Sequence, residues 1–247
     1  MMVLIGLGVL LGACAPATPE RTVTDPKTAL AEAIDKLREV KTFRLLVEQI
    51  GREYLFGVSL DGGGSVLNAS MRRGEVQYLA PNAMYGNVTL RVNPLPPVSV
   101  DIFALGDEQW FKPSGSEWIN FPIAEGFNPE QLMQEGSGFS VALAQLREVV
   151  FVGMTTLIDG TQALHIRGDA SGEVVNQLLF NLLALQSDRV LVDVYLAPDT
   201  GLPVQLTVTI PETAGNGDAD TAWNIELYDY NAPVSFTPPT GVTLPQS

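Results

Sequence analysis

Several stretches of the chain alternate between apolar and other residues with a period of two. Tyr54, Phe56, Val58 and Leu60 are interleaved with Leu55, Gly57 and Ser59. Val98, Val100, Ile102 and Ala104 repeat the pattern. So do Val204, Leu206, Val208 and Ile210, whose partners Gln205, Thr207 and Thr209 are polar. Successive side chains of a strand point to opposite faces, so this alternation predicts half-buried antiparallel strands. Turn signals separate the runs: Gly62-Gly63-Gly64, the prolines of 94–97, Gly106-Asp107, Asp159-Gly160, the stretch 198–201 and the stretch 215–218. About nine or ten strands are predicted.

Elsewhere the period lengthens to that of a helix. Asp25-Pro26 is an N-cap followed by a proline at the first helical position. The following "KTALAEAIDKLREV" carries Leu30, Ile34 and Leu37 on one face. "NPEQLMQEGSGFSVALAQLREV" predicts two short helices, the first capped by Asn128 before Pro129, the second over 140–148. Strands follow over 149–157 and 161–167. Ser171 then caps "VVNQLLFNLLALQ", residues 174–186, predicted as a helix. Helix, strands, helices, strands, helix and strands in that order indicate an α+β fold. They imply one large antiparallel sheet with helices packed on one face, in a single domain over 25–247.

The 174–186 segment is uncharged. As a helix it would be roughly 20 Å long, too short to cross a bilayer core of ~30 Å. Its apolar positions would cover an arc of about 180°, where one-sided packing needs roughly 100°. Two readings follow. Either the helix is buried in a packed core, or one flank packs on the sheet while another lines an apolar cavity.

Charge and composition narrow the function. The net charge is −14, and no lysine- or arginine-rich run offsets it. Such a field repels nucleic acid and anionic lipid headgroups. Hydrophobic residues make up 46% and charged residues 17%, which excludes a disordered chain. Residues 1–13, "MMVLIGLGVLLGA", have the length of a signal-peptide apolar region rather than a membrane span. They end at Leu11-Gly12-Ala13-Cys14, which resembles a bacterial lipobox. That resemblance implies a diacylglyceryl group on Cys14 and cleavage on its amino side. The plainer alternative is an ordinary cleaved signal with an incidental cysteine. Residues 14–24 read as the lipidated cysteine and a flexible tether.

Catalytic chemistry leaves little trace. His165 is the one histidine and Cys14 the one cysteine, so no disulfide and no histidine–cysteine zinc cluster can form within the chain. His165 sits inside a predicted strand and reads as structural. No G-x-S-x-G elbow and no phosphate-binding glycine loop is present. Asp218-Ala219-Asp220 has only a fragment of a calcium loop, and a solvated hairpin tip explains it better. Trp110, Trp118 and Trp223 read as core anchors rather than a sugar platform. The reading is therefore of a protein that is not an enzyme, with no cofactor and no metal.

Four stretches carry a family resemblance. They are "VLVDVYLAPDTGLPVQLTVTI", "IELYDYNAPVSFTPP", "GTQALHIRGDAS" and "EQWFKPSGSEWINF". In this order, with the lipobox and the first helix, the chain resembles the LppX/LprG-type lipoproteins over most of 11–240. Tyr195 departs from the family pattern where a tryptophan is expected, and Ala197 where an aspartate is expected. The resemblance implies a half-barrel: a curved antiparallel sheet with helices across its concave face, enclosing an apolar cavity, similar in general shape to LolA and LolB. It further implies an extracytoplasmic protein, held to the cell membrane by Cys14, that binds and carries a lipid or acylated glycolipid. The cavity wall is expected from Val141, Leu143, Leu146, Val175, Leu178, Leu179, Leu182, Leu183, Val100 and Ile102. A surface-anchored interaction module with a packed core and no ligand is the alternative.

Overall fold

The computed structural model describes residues 25–59, 66–92, 95–121, 127–179, 185–215 and 217–245. Helix α1 spans Pro26–Arg38. It opens as its first residues dictate: the Asp25 carboxylate accepts from the backbone N–H groups of Lys27 and Thr28 at 3.2 and 3.1 Å. Ala29, Leu30, Ala33, Ile34 and Leu37 form its buried stripe.

The described strands are β1 (Thr42–Ile50), β2 (Phe56–Ser59), β3 (Val66–Leu79), β4 (Ala83–Val92), β5 (Val98–Leu105), β6 (Glu108–Pro113), β7 (Ile119–Asn120), β8 (Arg147–Thr156), β9 (Gln162–Ala170), β10 (Val190–Leu196), β11 (Pro203–Ile210) and β12 (Thr221–Tyr228). They form one 12-stranded antiparallel sheet in the order β7-β6-β5-β4-β3-β1-β12-β11-β10-β9-β8, with β2 beside β3. This exceeds the nine or ten strands that the alternation predicts. Part of the difference is an interruption. Strands β1 and β2 lie along the same edge of the long β3, β1 against Arg73–Leu79 and β2 against Val66–Ala69. Between them Gly51 takes φ +68°, and a Cβ there would stand 2.0 Å from the Asp220 carbonyl oxygen. Tyr54, expected in a strand, precedes β2 and meets Trp223 edge-on at 5.4 Å. Leu60 lies outside the described residues.

The register fixes two faces. One row runs Phe151, Ile166, Val194, Leu206, Ile225, Val47, Gly74, Val88 and Val100 across the sheet. Leu45, Val76, Gly86 and Ile102 form a parallel row on the same face. That face is the core. Its neighbours in sequence place Glu48, Glu75, Asn87, Asp101, Asp193 and Arg167 on the other face, as the period of two requires.

The opposite face has its own small apolar patch. The chain leaves β12, crosses the start of β1 and lays Phe236 against Tyr85 and Phe103 at 5.7 and 6.0 Å. Trp110 and Trp118 complete the patch around Phe103. Trp223 is buried on the core face.

Two predicted helices are corrected. Helix α2 spans Gly138–Ala144, not 140–148. Gln145 to Glu148 are good helix formers, but Arg147 already pairs with Asp169 of β9 in register and by a side-chain ion pair. Tertiary pairing overrides propensity there. The preceding turn, Pro129–Leu132, is a 3-10 helix, capped as expected by Asn128, whose Oδ1 accepts from the Glu130 N–H at 3.0 Å.

The second correction concerns 174–186. Helix α3 spans only Gly172–Asn176 and passes into a 3-10 turn at Gln177–Leu179. Ser171 stands at its N-cap without a side-chain cap bond. The Asn176 side chain accepts from the Leu185 N–H at 3.0 Å, and the Gly172 N–H donates to the Ser187 carbonyl at 2.8 Å. Residues 172 and 187 are thus hydrogen-bonded to each other, where a continuous helix would hold them roughly 20 Å apart.

Candidate functional site

Helix α2 sits on the core face: Phe139 meets Phe43 of β1 edge-on at 6.3 Å. Gly138 makes this seating possible. Its φ is +51°, and a Cβ would fall 2.4 Å from the carbonyl oxygens of Gln131 and Leu132. Its N–H donates to Gln177 Oε1 at 2.8 Å, which ties α2 to the turn after α3.

Five expected cavity residues come together here. Leu143, Leu146, Val175, Leu178 and Leu179 are all buried in one continuous apolar cluster with Phe43, Leu45, Val47 and Ile166. Ile102 packs against that cluster from β5, filling the space over Gly86, where a Cβ would lie 3.1 Å from its Cγ1. Val100 and Val141 are half-buried, Val100 one row further along β5 beside Val88. Leu182 and Leu183 lie outside the described residues, as does Cys14.

Beside this cluster is a cavity of about 410 Å³. Its walls are the 3-10 turn at Pro129–Leu132, the start of α2, and α3. Phe127 and Leu132 contribute apolar surface; Gln131, Ser137, Glu173, Asn176 and Gln177 contribute polar groups. None of the eight expected residues that are described lines it. The polar pair Asn176-Gln177 inside an apolar run was the one sequence signal for it. Both side chains serve the backbone here, Asn176 at Leu185 and Gln177 at Gly138.

Several titratable groups elsewhere among the described residues are engaged structurally. His165 lies on the face away from α2, its ring stacked on Tyr195 at 4.5 Å and its Nε2 turned to Asp193 Oδ1. Arg167 Nε donates to the same oxygen at 2.7 Å, and this bond holds the guanidinium firmly protonated. Burial pushes the Tyr78 and Tyr230 hydroxyls far above their usual range, and they donate to the carbonyls of Pro81 and Pro203. Asp220 Oδ1 accepts from the N–H groups of Thr213 and Ala214 at 2.8 and 2.7 Å, closing the hairpin tip. Among the described residues, no group of three or more His, Cys, Asp or Glu is placed to hold a metal ion. No helix among them is long and apolar enough to cross a membrane.

The LppX_LprAFG lipoprotein family matches residues 25–236 of the chain. LprF from Mycobacterium bovis superposes with a TM-score of 0.62 at 13% identity, over 87% of this chain and 97% of that one. The lipoprotein LppX from Mycobacterium tuberculosis gives a TM-score of 0.55 at 16% identity, over 85% of this chain and 96% of that one. At these identities the likeness establishes the fold, an open half-barrel sheet. No curated protein matches the chain in sequence.

Proposed function

The chain belongs to the LppX_LprAFG lipoprotein family, and from that premise we propose that it is a membrane-anchored lipid carrier. It holds the acyl chains of a lipid or acylated glycolipid between the core face of the sheet and the α2–α3 layer. The anchor is a lipidated Cys14, and the domain works on the outer side of the cell membrane.

One observation carries the reading. Leu143, Leu146, Val175, Leu178 and Leu179, with Phe139, give the α2–α3 layer an apolar underside, and the strand rows facing it are equally apolar. Acyl chains entering between these surfaces would exchange one apolar contact for another. Each buried methylene contributes about 0.8 kcal/mol, so ~10 methylenes contribute roughly 8 kcal/mol before entropic costs.

The same burial supports the second reading, an anchored interaction module whose core is closed. Leu179→Trp separates the two. If the layer admits a ligand, the larger ring takes up that room, lipid uptake falls and stability changes little. In a closed core the substitution costs about 1–3 kcal/mol. Native mass spectrometry of the purified protein, before and after solvent extraction, reads the lipid directly. A protein that carries no extractable lipid from its native envelope overturns the carrier reading.

A further inference from the structure

Strand β8 is an edge of the sheet, yet residues 149–158 carry no charge. Val150, Val152 and Met154 are 52%, 51% and 53% exposed, Phe151 is 42% exposed, and Ile158 at the β8–β9 turn is fully exposed. Phe151 and Met154 pair with Ile166 and Leu164 on the core face, while Val150 pairs with Arg167 on the other. The edge is therefore apolar on both sides. Natural edges are blunted by charge or by bulges. This one has the bulges without the charge.

The bulges decide what can cover it. Register breaks fall between Arg147 and Val150 and between Phe151 and Gly153, and Gly153 takes φ +142°. An added strand needs evenly spaced backbone groups, which this edge does not offer. A lipid layer needs no register and covers aliphatic side chains on both sides of a thin edge at once. In an edge-on contact β9 lies ~4.8 Å further out, so the half-exposed guanidinium of Arg167 reaches headgroup phosphate level. Arg147 is the first residue of β8; Asp169, Asp188, Asp193, Glu148 and Arg189 are among the charges close by. The net charge of −14 selects against an anionic surface. An open backbone edge stays hydrated only at the interface, which fixes the depth.

We propose that the β8 edge and its turn at Ile158 are the surface on which this domain rests on a zwitterionic membrane, at the boundary of headgroups and acyl chains. The inference rests on the tethered-carrier reading for its reach. The chain from Cys14 to Asp25 spans at most ~40 Å, and α1, which follows it, packs against β8.

The test uses the full lipidated chain in phosphatidylcholine vesicles that contain nitroxide-labelled lipid. An environment-sensitive dye is attached at Ile158→Cys and, in a second protein, at Leu95→Cys in the β4–β5 turn, in the other half of the sheet. Quenching at 158 and not at 95, lost when Val152→Asp and Met154→Asp are added, is the expected result. Equal quenching at both positions, none at 158, or quenching that survives the aspartates overturns the proposal. So does concentration-dependent self-quenching of the 158 dye in detergent without vesicles, which would assign the edge to a second copy. Lipid extraction and intact mass on the same preparations report the ligand and the Cys14 acyl group, so failure of the carrier reading is seen separately.

Discussion

Asp101 shows what a single carboxylate does on the face away from the core. Desolvation pushes its pKa up, but hydrogen bonds from Asn87 and Tyr85 and the nearby Lys112 ammonium outweigh this and leave it below the ordinary value of 3.8. The donors stand at 2.7, 3.1 and 3.2 Å, and Ser99 orients Asn87 in turn. A carboxylate with a lowered folded-state pKa stabilises the fold at pH above its unfolded value. That stabilisation is lost as pH falls through the lower folded value. Asp25 and Asp159 are lowered too, Asp25 chiefly by the Thr28 hydroxyl and Asp159 by the Thr161 N–H and hydroxyl. All three therefore work in the same direction. The urea midpoint is expected to decline as pH drops below about 4, and Asp101→Asn to flatten that decline while lowering the midpoint at pH 7. An Asp101→Asn protein with an acid slope as steep as the parent's would refute the assignment.

At the scale of elements, α2 depends on a residue that contributes no side chain. Gly138→Ala forces a Cβ onto two backbone carbonyls at positive φ. It is expected to cost about 1–3 kcal/mol, and to release the Gln177 latch, which hydrogen exchange at the backbone amide of residue 138 in parent and variant would register. Elements with both a cap and a clear period were legible in the sequence. Asp25-Pro26 with Leu30, Ile34 and Leu37 gave α1, and the Gln205–Thr207–Thr209 alternation gave β11. Residues 174–186 had the right period, but the side-chain amides of Asn176 and Gln177 capture the backbone N–H groups of Leu185 and of Gly138 in α2, and a count of apolar positions does not see that. Residues 149–157 read as a strand, but that strand's place at an edge of the sheet did not show. Position in a sheet is set by long-range pairing, so it was out of reach of a local pattern. The burial of Leu143, Val175, Leu178 and Leu179 was legible because burial follows side-chain type. The polar cavity beside them was not, because its residues come from three separated segments.

At the scale of the molecule, the sheet order places the first strand beside the last, β1 against β12. Two consecutive runs of strands, β1 to β7 and β8 to β12, meet along that pairing. Every contact across it is distant in sequence, which slows folding. Three hydrogen bonds guard the end where these strands leave the sheet. Asn231 accepts from the Lys41 N–H at 2.8 Å, the Thr42 hydroxyl donates to the Ala232 carbonyl at 2.6 Å, and the Asn231 N–H donates to the Thr42 carbonyl at 2.8 Å.

That clasp has a mechanical consequence. Strands β1 and β12 are antiparallel, with Arg44 opposite Tyr228, so the start of one and the finish of the other emerge at the same end. A pull applied before β1 and after β12 loads their ladder like a zipper, one rung at a time, rather than in shear. The first rungs to bear the load are those around Asn231. Asn231→Ala should therefore lower the rupture force measured by pulling from the two termini, by more than its effect on the urea midpoint implies, because forced unfolding follows the unfolding rate. An unchanged rupture force would place the first break elsewhere in the sheet.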